Sequence, residues 1–431
     1  MKLERNHQQP PQETWPEGKR LRILIVTDHY PPFIGGAHRQ SYFLAQNLHA
    51  MGHRVGVASV WHVGLPGSES DNGVEVYRFK QIATAVPGVT DPRQRHHPPF
   101  PDPVTTLGLR HLINTFKPDV VHSHGWISYS AALALMGKKI PLLISARDYG
   151  YSCATRTLLY KDQLCSGPEL DKCLHCASDF YGVPKGPMAV LGVALGRLLL
   201  RHKVSGIHDI SNFVKLITER ALVDGQGRAA KIPEVVIPSF LVTNDDSLNL
   251  SSEKLARLPK EPFILFVGAF QRRKGLYQLL EAYKRLPMPP PLVLIGTIER
   301  DSPTDIPQGV IMLEDFPHSC VMAAWERCMF GVVPSLWPEP LGAVVFEAMS
   351  KGKAVIGTTP GGHTDMIVDG ETGYLVPPGD VNSLSEAMCN LIENPKLLEQ
   401  FGKAAKERMK LFTADIALPR FEALYQQLVA R

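Results

Sequence analysis

The stretch Pro338–Gly357, PEPLGAVVFEAMSKGKAVIG, decides how the second half of the chain is interpreted. Pro340 can open a helix and Gly352 can close it. Residues 341–349 are all apolar or glycine except Glu347. A helix that is apolar on nearly all faces belongs in a core, where an unpaired carboxylate is costly. Glu347 is therefore predicted to have a specific partner.

Strands that alternate with helices surround this stretch. Short apolar runs rich in branched residues predict buried strands, and apolar residues at helical spacing predict helices. The first half of the chain has predicted strands at Leu21–Thr27, Val55–Val60, Asp119–His122 and Pro141–Ser145, and a helix at His38–Met51. The alternation restarts with strands at Pro262–Gly268, Pro291–Gly296, Phe330–Pro334 and Ala354–Gly357, and helices at Gly275–Leu286 and from Val381. This alternation predicts an α/β fold with two Rossmann-like, doubly wound domains whose loops face a central cleft.

Composition limits the classes of function. The 431 residues exceed one typical domain of roughly 100 to 200 residues, and a net charge of +4 without a dense Lys/Arg block argues against nucleic-acid binding. Residues 1–20 are polar and proline-rich and lack the apolar core of a secretory signal, so a disordered arm on a cytoplasmic protein is expected. The longest apolar helix candidate, Met188–Leu200, is interrupted by Arg197. It is interpreted as a packed amphipathic helix, or alternatively as a surface that contacts a bilayer or a lipid-linked substrate.

Two glycine-containing loops between a strand and a helix are candidate phosphate sites. A glycine pair such as Gly35 and Gly36 lets backbone N–H groups approach an anion at a helix N-terminus, although a plain turn explains it equally well. The pair is not a G-x-G-x-x-G motif, and no acidic residue follows the next strand, which argues against a dinucleotide dehydrogenase. In the second half, the loop Gly268–Gly275 carries Arg273 and Lys274 just before a helix, where the helix dipole favours anions. The alternative is a solvated basic turn.

Glu339 lies at the start of the predicted helix, and Glu347 follows eight residues later. At about 1.5 Å per residue they would lie roughly 12 Å apart along its axis. That distance suits a nucleotide sugar, with Glu339 at the hexose, Glu347 at the ribose, and the N–H groups around Leu341 and Gly342 at the pyrophosphate between them. The alternative for Glu347 is a buried ion pair with a basic residue of the same domain.

These motifs resemble those of the retaining GT-B glycosyltransferases of family 4, the family of sucrose synthases and of the mannosyltransferases of lipid glycan assembly. The resemblance covers almost the whole chain from Leu21 and is strongest over Pro334–Asp380, with its E-x7-E motif. It implies an N-terminal acceptor-binding domain and a C-terminal donor-binding domain. The predicted bounds are residues 1–20 for the arm, 21–245 and 246–411 for the two domains, and 412–431 for a helix that crosses back to the first domain.

The resemblance also implies roles for individual residues. Glu339 would contact the transferred sugar, Glu347 the ribose, and Lys274 a phosphate, while Gly35 and Gly36 would form the glycine loop that faces the donor. The family's arginine directly after the loop glycine is replaced by Ala269, and Arg273 is the candidate to compensate. The family needs no catalytic metal, because cationic side chains and helix ends neutralise the diphosphate.

The segment Asp119–His124, DVVHSH, places His122 and His124 on one face of a strand. A pair of histidines in a strand is often structural. The resemblance assigns a histidine at this place to the donor sugar and matches it to His124, which would orient the sugar during front-face attack.

Four cysteines are clustered within an insert at about residues 147–182. Cys153, Cys165, Cys173 and Cys176 have the spacing C-x11-C-x7-C-x2-C, and four thiols in a cytoplasmic protein suggest a structural zinc. The first spacing is long for a zinc ribbon, so free thiols and disulfides remain alternatives. Similar cysteine-bearing segments occur in a subset of the family.

The sequence thus predicts a cytoplasmic retaining glycosyltransferase, with the inner membrane surface as an alternative location. It would move a hexose-type sugar from a nucleotide-diphosphate donor, with UDP preferred, to a saccharide, lipid-linked or small-molecule acceptor. A catalytically inactive nucleotide-sugar-binding protein and another GT-B enzyme, such as an epimerase, are the rival interpretations.

Overall fold

The computed structural model describes residues 20–32, 36–82, 97–223, 232–241 and 250–431. Three predictions fall outside these ranges: the arm over residues 1–20, of which only Arg20 is described, Gly35, and the domain boundary near residue 245. Two large, mainly parallel sheets flanked by helices form the described chain. They confirm the α/β fold class with two doubly wound domains.

The first sheet contains eight strands in the order β10-β9-β6-β5-β1-β2-β4-β3, all parallel except the edge strand β3. Its strands are β1 (Arg22–Thr27), β2 (Arg54–Val60), β3 (Ser68–Asp71), β4 (Val74–Phe79), β5 (Val120–His124), β6 (Leu142–Ala146), β9 (Gly206–Asp209) and β10 (Glu234–Val236). A separate hairpin is formed by β7 (Leu159–Tyr160) and β8 (Gln163–Leu164). The helices are α1 (Gly36–Ala50), α2 (Pro103–Phe116), α3 (Ile127–Ala134), α4 (Leu170–Tyr181), α5 (Lys185–Lys203) and α6 (Asn212–Leu222).

The second sheet contains six parallel strands in the order β13-β12-β11-β14-β15-β16. They are β11 (Ile264–Val267), β12 (Leu292–Ile295), β13 (Val310–Leu313), β14 (Gly331–Val332), β15 (Val355–Thr358) and β16 (Gly373–Val376). The helices of this half are α7 (Ser252–Ala256), α8 (Leu276–Lys284), α9 (His318–Arg327), α10 (Ala343–Ser350), α11 (His363–Met366), α12 (Val381–Glu393) and α13 (Pro395–Arg408), followed by α14 (Ala414–Val429).

Both sheets reverse their direction of winding at one point. In the first sheet the reversal lies between β1 and β5, and in the second it lies between β11 and β14. The crevice outside the carboxyl ends of the strands at such a point is where ligands bind in open α/β sheets. The loops that follow these four strands therefore define where a ligand can sit.

The last helix returns to the first domain. The large apolar side chains of α14 pack with the first strands of sheet one in a common core, and Tyr425 Oη lies 2.8 Å from His122 Nδ1. The segment that leads back to the first half begins at about Phe412, and the first half ends at about Leu241. These two segments lie side by side, because the N–H of Leu241 donates to the carbonyl of Phe412 at 3.1 Å.

The two halves also touch across the cleft. The hydroxyl of Tyr149 donates to the carbonyl oxygen of Pro338 at 2.7 Å, and the backbone N–H of Asn212 donates to a carboxylate oxygen of Asp365 at 2.7 Å. These contacts bring the carboxyl ends of both sheets face to face.

Candidate functional site

A cleft of about 480 Å³ lies between the two halves. Its first wall comes from helix α1 and from the loop after β6, and its second wall from the loops after β11 and β14. Of the residues predicted to bind donor or sugar, it brings together Lys274, Glu339, Leu341, Gly342 and Glu347. Their roles toward a ligand stay predictions.

Glu339, which lines this cleft, is held by three donors. Lys274 Nζ, Ser335 Oγ and Trp337 Nε1 donate to its Oε1 at 2.6, 2.8 and 2.8 Å. The side chain is only 6% exposed, so each of these contacts replaces water that the carboxylate has lost. Lys274, predicted for a phosphate, and Glu339, predicted for the sugar, are therefore one ion pair in this structure.

The ion pair fixes the charge of Glu339. Burial by itself raises the pKa of a carboxyl group, but the charge and hydrogen bond of Lys274, together with the hydroxyl of Ser335, hold the pKa of Glu339 below its ordinary value. Glu339 is therefore an anion at neutral pH, and it can accept hydrogen bonds but cannot act as an acid.

Glu347 has the specific partners that its burial demanded. His318 Nε2 lies 3.1 Å from Oε1, and Trp325 Nε1 donates to Oε2 at 3.2 Å. Both partners are on α9, within the same half of the chain. The carboxylate also lines the cleft. The contacts match the alternative of a pair inside the domain, and the position in the cleft leaves the predicted contact with ribose open to test.

The predicted helix start at Pro340 is wrong. Helix α10 begins at Ala343, and Gly342 immediately before it has a φ of +94°. The preceding loop is held outside the helix because the N–H of Gly362 donates to the carbonyl of Glu339 at 2.6 Å. Glu339 therefore lies outside the helix that carries Glu347, and the 12 Å derived from helical rise does not apply. The first N–H groups of the helix are therefore those of Ala343 and Val344, and not those predicted around Leu341 and Gly342. Both Ala343 and Val344 line the cleft.

His363 explains why residue 342 is a glycine. The ring of His363 is fully buried, and its Nδ1 accepts from the N–H of Thr358 at 3.2 Å. Burial lowers the pKa of His363 to about 4, the nearby Glu339 opposes this, and Lys274 adds to it. The ring is therefore neutral, with its proton on Nε2. A Cβ atom on Gly342 would lie 2.9 Å from that nitrogen.

We predict that Gly342→Ala destabilises the protein by about 1 to 3 kcal/mol, because the left-handed backbone is strained for alanine and the methyl group presses on His363. Nucleotide-sugar affinity should fall with it. The control is Gly370→Ala, which has a φ of +73° and no atom within 4 Å of the added Cβ, and so carries only the backbone cost. Equal melting temperatures and equal affinities for the two variants would contradict the role assigned to His363.

Of the remaining predicted donor residues, Arg273 is not among the described residues that line the cleft. Arg273 donates from Nε to Gln271 Oε1 at 2.7 Å, and its guanidinium lies 5.3 Å from the ring centre of Trp337. Gly36 is the first residue of α1, whose next turns supply Arg39, Gln40 and Phe43 to the first wall. Gly35 is outside the described residues.

The two histidines of β5 have different surroundings, although their ring centres are only 4.3 Å apart. His122 Nε2 lies 2.7 Å from Ser145 Oγ and its Nδ1 contacts Tyr425, so it joins the sheet to the last helix. Burial, followed by the neighbouring His208 and Arg147, lowers the pKa of His122 well below its ordinary value. His122 is therefore a neutral core residue, whereas His124 lines a small pocket next to the cleft.

That pocket contains charged side chains that the sequence analysis did not assign to the site. Arg156 is paired with Asp148, its Nε donating to Oδ2 at 2.9 Å, and both residues line the pocket together with Asp28. Burial raises the pKa of Asp28 to about 7, the charge of Arg156 opposes this, and Asp148 adds to it. Arg147 and Asp148 line both the pocket and the cleft, so the two spaces are neighbours that share part of their walls.

The missed residues share a signal. Asp28 directly follows β1, and Arg147 and Asp148 directly follow β6, at the carboxyl edge of the first sheet. A search for charged residues just after each predicted strand would have found all three. His318 and Trp325 carry no such signal, because they lie on a helix whose contact with Glu347 depends on tertiary packing.

The four clustered cysteines are not grouped as a set of metal ligands in the described chain. No group of three or more His, Cys, Asp or Glu side chains among the described residues could hold a metal ion. The thiol of Cys153 lies 3.2 Å from the hydroxyl of Thr155, and those of Cys165 and Cys176 point at backbone carbonyls. Burial, and then the neighbouring thiols, raise the pKa of Cys176 to about 11, so it is a protonated thiol at neutral pH. The residues as arranged do not fit a zinc ion.

Zinc in this insert stays a prediction from the sequence. Metal analysis of protein purified without a histidine tag and without added metal should give one equivalent of zinc per chain if the thiols rearrange around an ion. Less than about a tenth of an equivalent, with four titratable thiols, would agree with the arrangement described here and contradict the prediction.

Comparisons with known proteins match both halves of the chain. The family model described as "Glycosyl transferases group 1" matches residues 249–408, and the model "Glycosyltransferase Family 4" matches residues 34–163. A trehalose synthase from Pyrococcus horikoshii is 29% identical over 204 residues, which are 41% of this chain and 48% of that protein. The match therefore spans about half the length of that relative.

Solved structures resemble nearly the whole chain. A sucrose-phosphate synthase from Thermosynechococcus elongatus has a TM-score of 0.72 at 20% identity, and the match covers 95% of this chain and 100% of that one. The Anabaena protein Alr3699/HepE, solved in complex with UDP, has a TM-score of 0.62 at 17% identity, with 94% and 100% covered. At these identities the similarity shows the fold. No helix in the described part of the chain is long and apolar enough to cross a membrane.

Proposed function

The chain belongs to the GT-B glycosyltransferases of family 4, and we propose that it transfers a hexose-type sugar from a nucleotide-diphosphate donor, with retention of the anomeric configuration. The observation that carries the proposal is the single cleft lined by Lys274, Glu339 and Glu347 from one half and by Arg147 and Asp148 from the other. Acceptor and donor can therefore be held by opposite walls, with the reacting atoms between them.

The donor would lie along the second wall. Lys274 and the N–H groups at the start of α10 face the diphosphate, where a cation and a helix N-terminus both favour negative charge. Glu347 accepts from the ribose hydroxyls, and the anionic Glu339 accepts from hydroxyls of the sugar. UDP is the proposed nucleotide, supported by its frequency in the family and by the similarity to Alr3699/HepE, which was solved with UDP.

Arg147 is our candidate for the cation that the family places where this chain has Ala269. Arg273 is engaged with Gln271 and Trp337, whereas Arg147 lines the cleft from the opposite wall. Burial lowers the pKa of Arg147 to about 10, and Asp148 opposes this, so the guanidinium remains charged at neutral pH. Because Arg147 belongs to the first half and the proposed diphosphate site to the second, it would reach the diphosphate only when the two halves are in contact across the cleft.

In the proposed reaction, the bond between the anomeric carbon and the diphosphate oxygen breaks as the acceptor oxygen attacks from the same face. The acceptor hydroxyl gives its proton to the departing phosphate oxygen, so the step needs no base from the protein. Lys274 and Arg147 stabilise the charge that develops on the diphosphate. His124 orients the sugar or the acceptor from the pocket beside the cleft. No catalytic metal is expected.

The acceptor would enter along the first wall. Asp28, His124 and Asp148 line the pocket that adjoins the cleft, and they can accept or donate hydrogen bonds to hydroxyl groups. A further cavity of about 300 Å³ lies between the β7–β8 hairpin and the second half, bounded by Gln163 and Pro338. A saccharide is the proposed acceptor class, and the names of the trehalose and sucrose-phosphate synthases agree with it.

Two measurements test the proposal. Thermal-shift assays against UDP, GDP, ADP and their sugars should identify one base, since a ligand at a hundred times its dissociation constant stabilises by about 2.7 kcal/mol. The product made from an α-linked donor should then be α-linked by NMR, and a β-linked product would remove the chain from the retaining class. Binding without transfer or hydrolysis would favour the inactive nucleotide-sugar-binding protein, and conversion of the bound sugar without an acceptor would favour an epimerase.

A further inference from the structure

Helix α5 exposes a row of large apolar side chains and buries most of its small ones. Met188, Leu191, Leu195 and Leu198 are each between 51% and 61% exposed. They recur at helical spacing, so they form one continuous stripe about 15 Å long on the outer face. The usual amphipathic helix of a globular domain has the opposite arrangement, with its large apolar residues in the core.

The inner face of α5 is built for close packing. Its buried residues are small: Gly186, Ala189, Val190, Gly192, Val193 and Gly196, followed by Leu200. A Cβ atom on Gly196 would lie 2.5 Å from the ring of Tyr129, and one on Gly192 would lie 2.5 Å from the carbonyl oxygen of Pro99. The orientation of the helix is thus fixed, and a rotation that buried the leucines would separate these contacts.

Basic residues border the stripe, and α5 contains no acidic residue. Lys185 lies at its start, and Arg201, His202 and Lys203 lie in its last turn. Lys203 Nζ donates to the carbonyl oxygen of Lys138 at 2.8 Å, so the loop with Lys138 and Lys139 joins this basic end. Asp179, on α4, is the acidic residue nearest in sequence to the start of the helix.

We propose that the α5 surface, defined as the stripe Met188, Leu191, Leu195 and Leu198 with its basic borders, docks on an anionic lipid bilayer. Leucine side chains inserted at the level of the headgroups remove apolar area from water, and lysine and arginine beside them attract anionic headgroups. Exposed apolar patches bordered by polar residues are typical of such interaction sites.

The charges favour a bilayer over a second copy of the chain. Two α5 stripes packed together in either direction would bring the basic ends of one helix near basic residues of the other, and like charges repel. An anionic surface has the complementary sign at both ends of the stripe. The enzyme would then be held at the membrane by its first half, independently of which nucleotide sugar it uses.

The test is co-sedimentation of the full chain with vesicles of phosphatidylcholine alone and with vesicles that also contain phosphatidylglycerol. The protein should partition to the anionic vesicles, less so at high salt. Leu191→Glu with Leu195→Glu should lower the partition coefficient about tenfold or more, since 1.4 kcal/mol is a factor of ten and the two partly exposed leucines together contribute at least that on insertion. Lys139→Glu with Lys185→Glu should weaken binding to anionic vesicles severalfold and make it less dependent on salt.

The matched control is Ile298→Glu with Leu411→Glu, because these side chains are 56% and 57% exposed but lie outside the α5 surface. It should bind vesicles as the unmodified chain does. Unchanged melting temperatures and UDP affinities show that each variant is folded. The proposal is overturned if the unmodified chain stays in solution with anionic vesicles, or if Leu191→Glu with Leu195→Glu binds as well as the control. A dimer in solution that this double variant abolishes, without vesicle binding, would assign the surface to a second copy instead.

Discussion

Replacing Lys274 by methionine is expected to lower turnover by about 10²- to 10³-fold, since a preorganised donor to the departing diphosphate is lost. It should also destabilise the free protein by about 2 to 4 kcal/mol, because the buried carboxylate of Glu339 loses its counter-charge while Ser335 and Trp337 still hold it. In a domain of this size that lowers the melting temperature by about 4 to 16 °C. Thermal unfolding and initial rates with the identified donor measure both effects.

The control for this variant is Lys284→Met. Lys284 Nζ lies 3.4 Å from Asp305, whose side chain is 90% exposed, and such surface pairs contribute at most about 1 kcal/mol. Lys274→Met combined with Glu339→Gln removes the unpaired charge, so it should regain stability and stay inactive. A Lys274→Met protein that melts with the unmodified one and keeps its turnover would contradict the assigned role.

The pH dependence of this stability has a definite sign. The pKa of Glu339 is lowered in the folded protein, so its contribution is complete above the ordinary glutamate pKa of about 4.3 and is lost as the pH falls through the lowered value. The difference in stability between the unmodified protein and Lys274→Met should therefore be largest near neutral pH and shrink in acid. The same difference for Lys284→Met should be small throughout.

The fold was largely predictable because its signals are local. The strand Leu21–Thr27 was predicted from an aliphatic run, and the structure has Arg22–Thr27. Pro291–Gly296 was likewise observed as Leu292–Ile295. A buried parallel strand needs such a run whatever its neighbours are, so composition alone locates it. The alternation of strands and helices then allows few topologies.

The start of α10 was not predictable in this way. Pro340 is a good first residue for a helix in an isolated peptide. In the folded chain, the loop before Gly342 is held by the N–H of Gly362 and by the hydroxyl of Tyr149 from the other half. Both contacts come from residues distant in sequence, so the tertiary structure overrides the local preference for a helix.

The site residues that directly follow a strand could be predicted from the sequence. Contacts between side chains that are distant in sequence could not. Lys274 and Glu339 were found because they lie in loops after β11 and β14, but their ion pair with each other was not foreseen. Arg147 directly follows β6 but was not assigned to the site, because its place in the cleft depends on how the two halves are arranged. Charges that meet across two domains depend on how those domains are placed.

The second large effect concerns the glutamate that first stood out in the sequence. We expect Glu347→Gln to weaken UDP binding by about 5- to 150-fold, because two charge-assisted hydrogen bonds to ribose hydroxyls become neutral ones, at a cost of about 1 to 3 kcal/mol. UDP and the UDP-sugar should lose affinity equally. Glu339→Gln should instead leave UDP affinity nearly intact and lower turnover, because its proposed partner is the sugar.

The contacts of Glu347 with α9 supply the competing explanation. If Glu347 serves only to bind His318 and Trp325 within the fold, Glu347→Gln should lower the melting temperature of the free protein by several degrees with little change in UDP affinity. Trp325→Phe separates the cases, because it removes the donor to Oε2 from a fully buried residue outside the cleft lining and keeps the carboxylate. The control for the substitution itself is Glu326→Gln, because Glu326 also lies on α9 but its side chain is 59% exposed. If Glu347→Gln loses UDP affinity and Trp325→Phe keeps it, the carboxylate binds the ribose. If both variants lose stability and both keep UDP affinity, the carboxylate is structural.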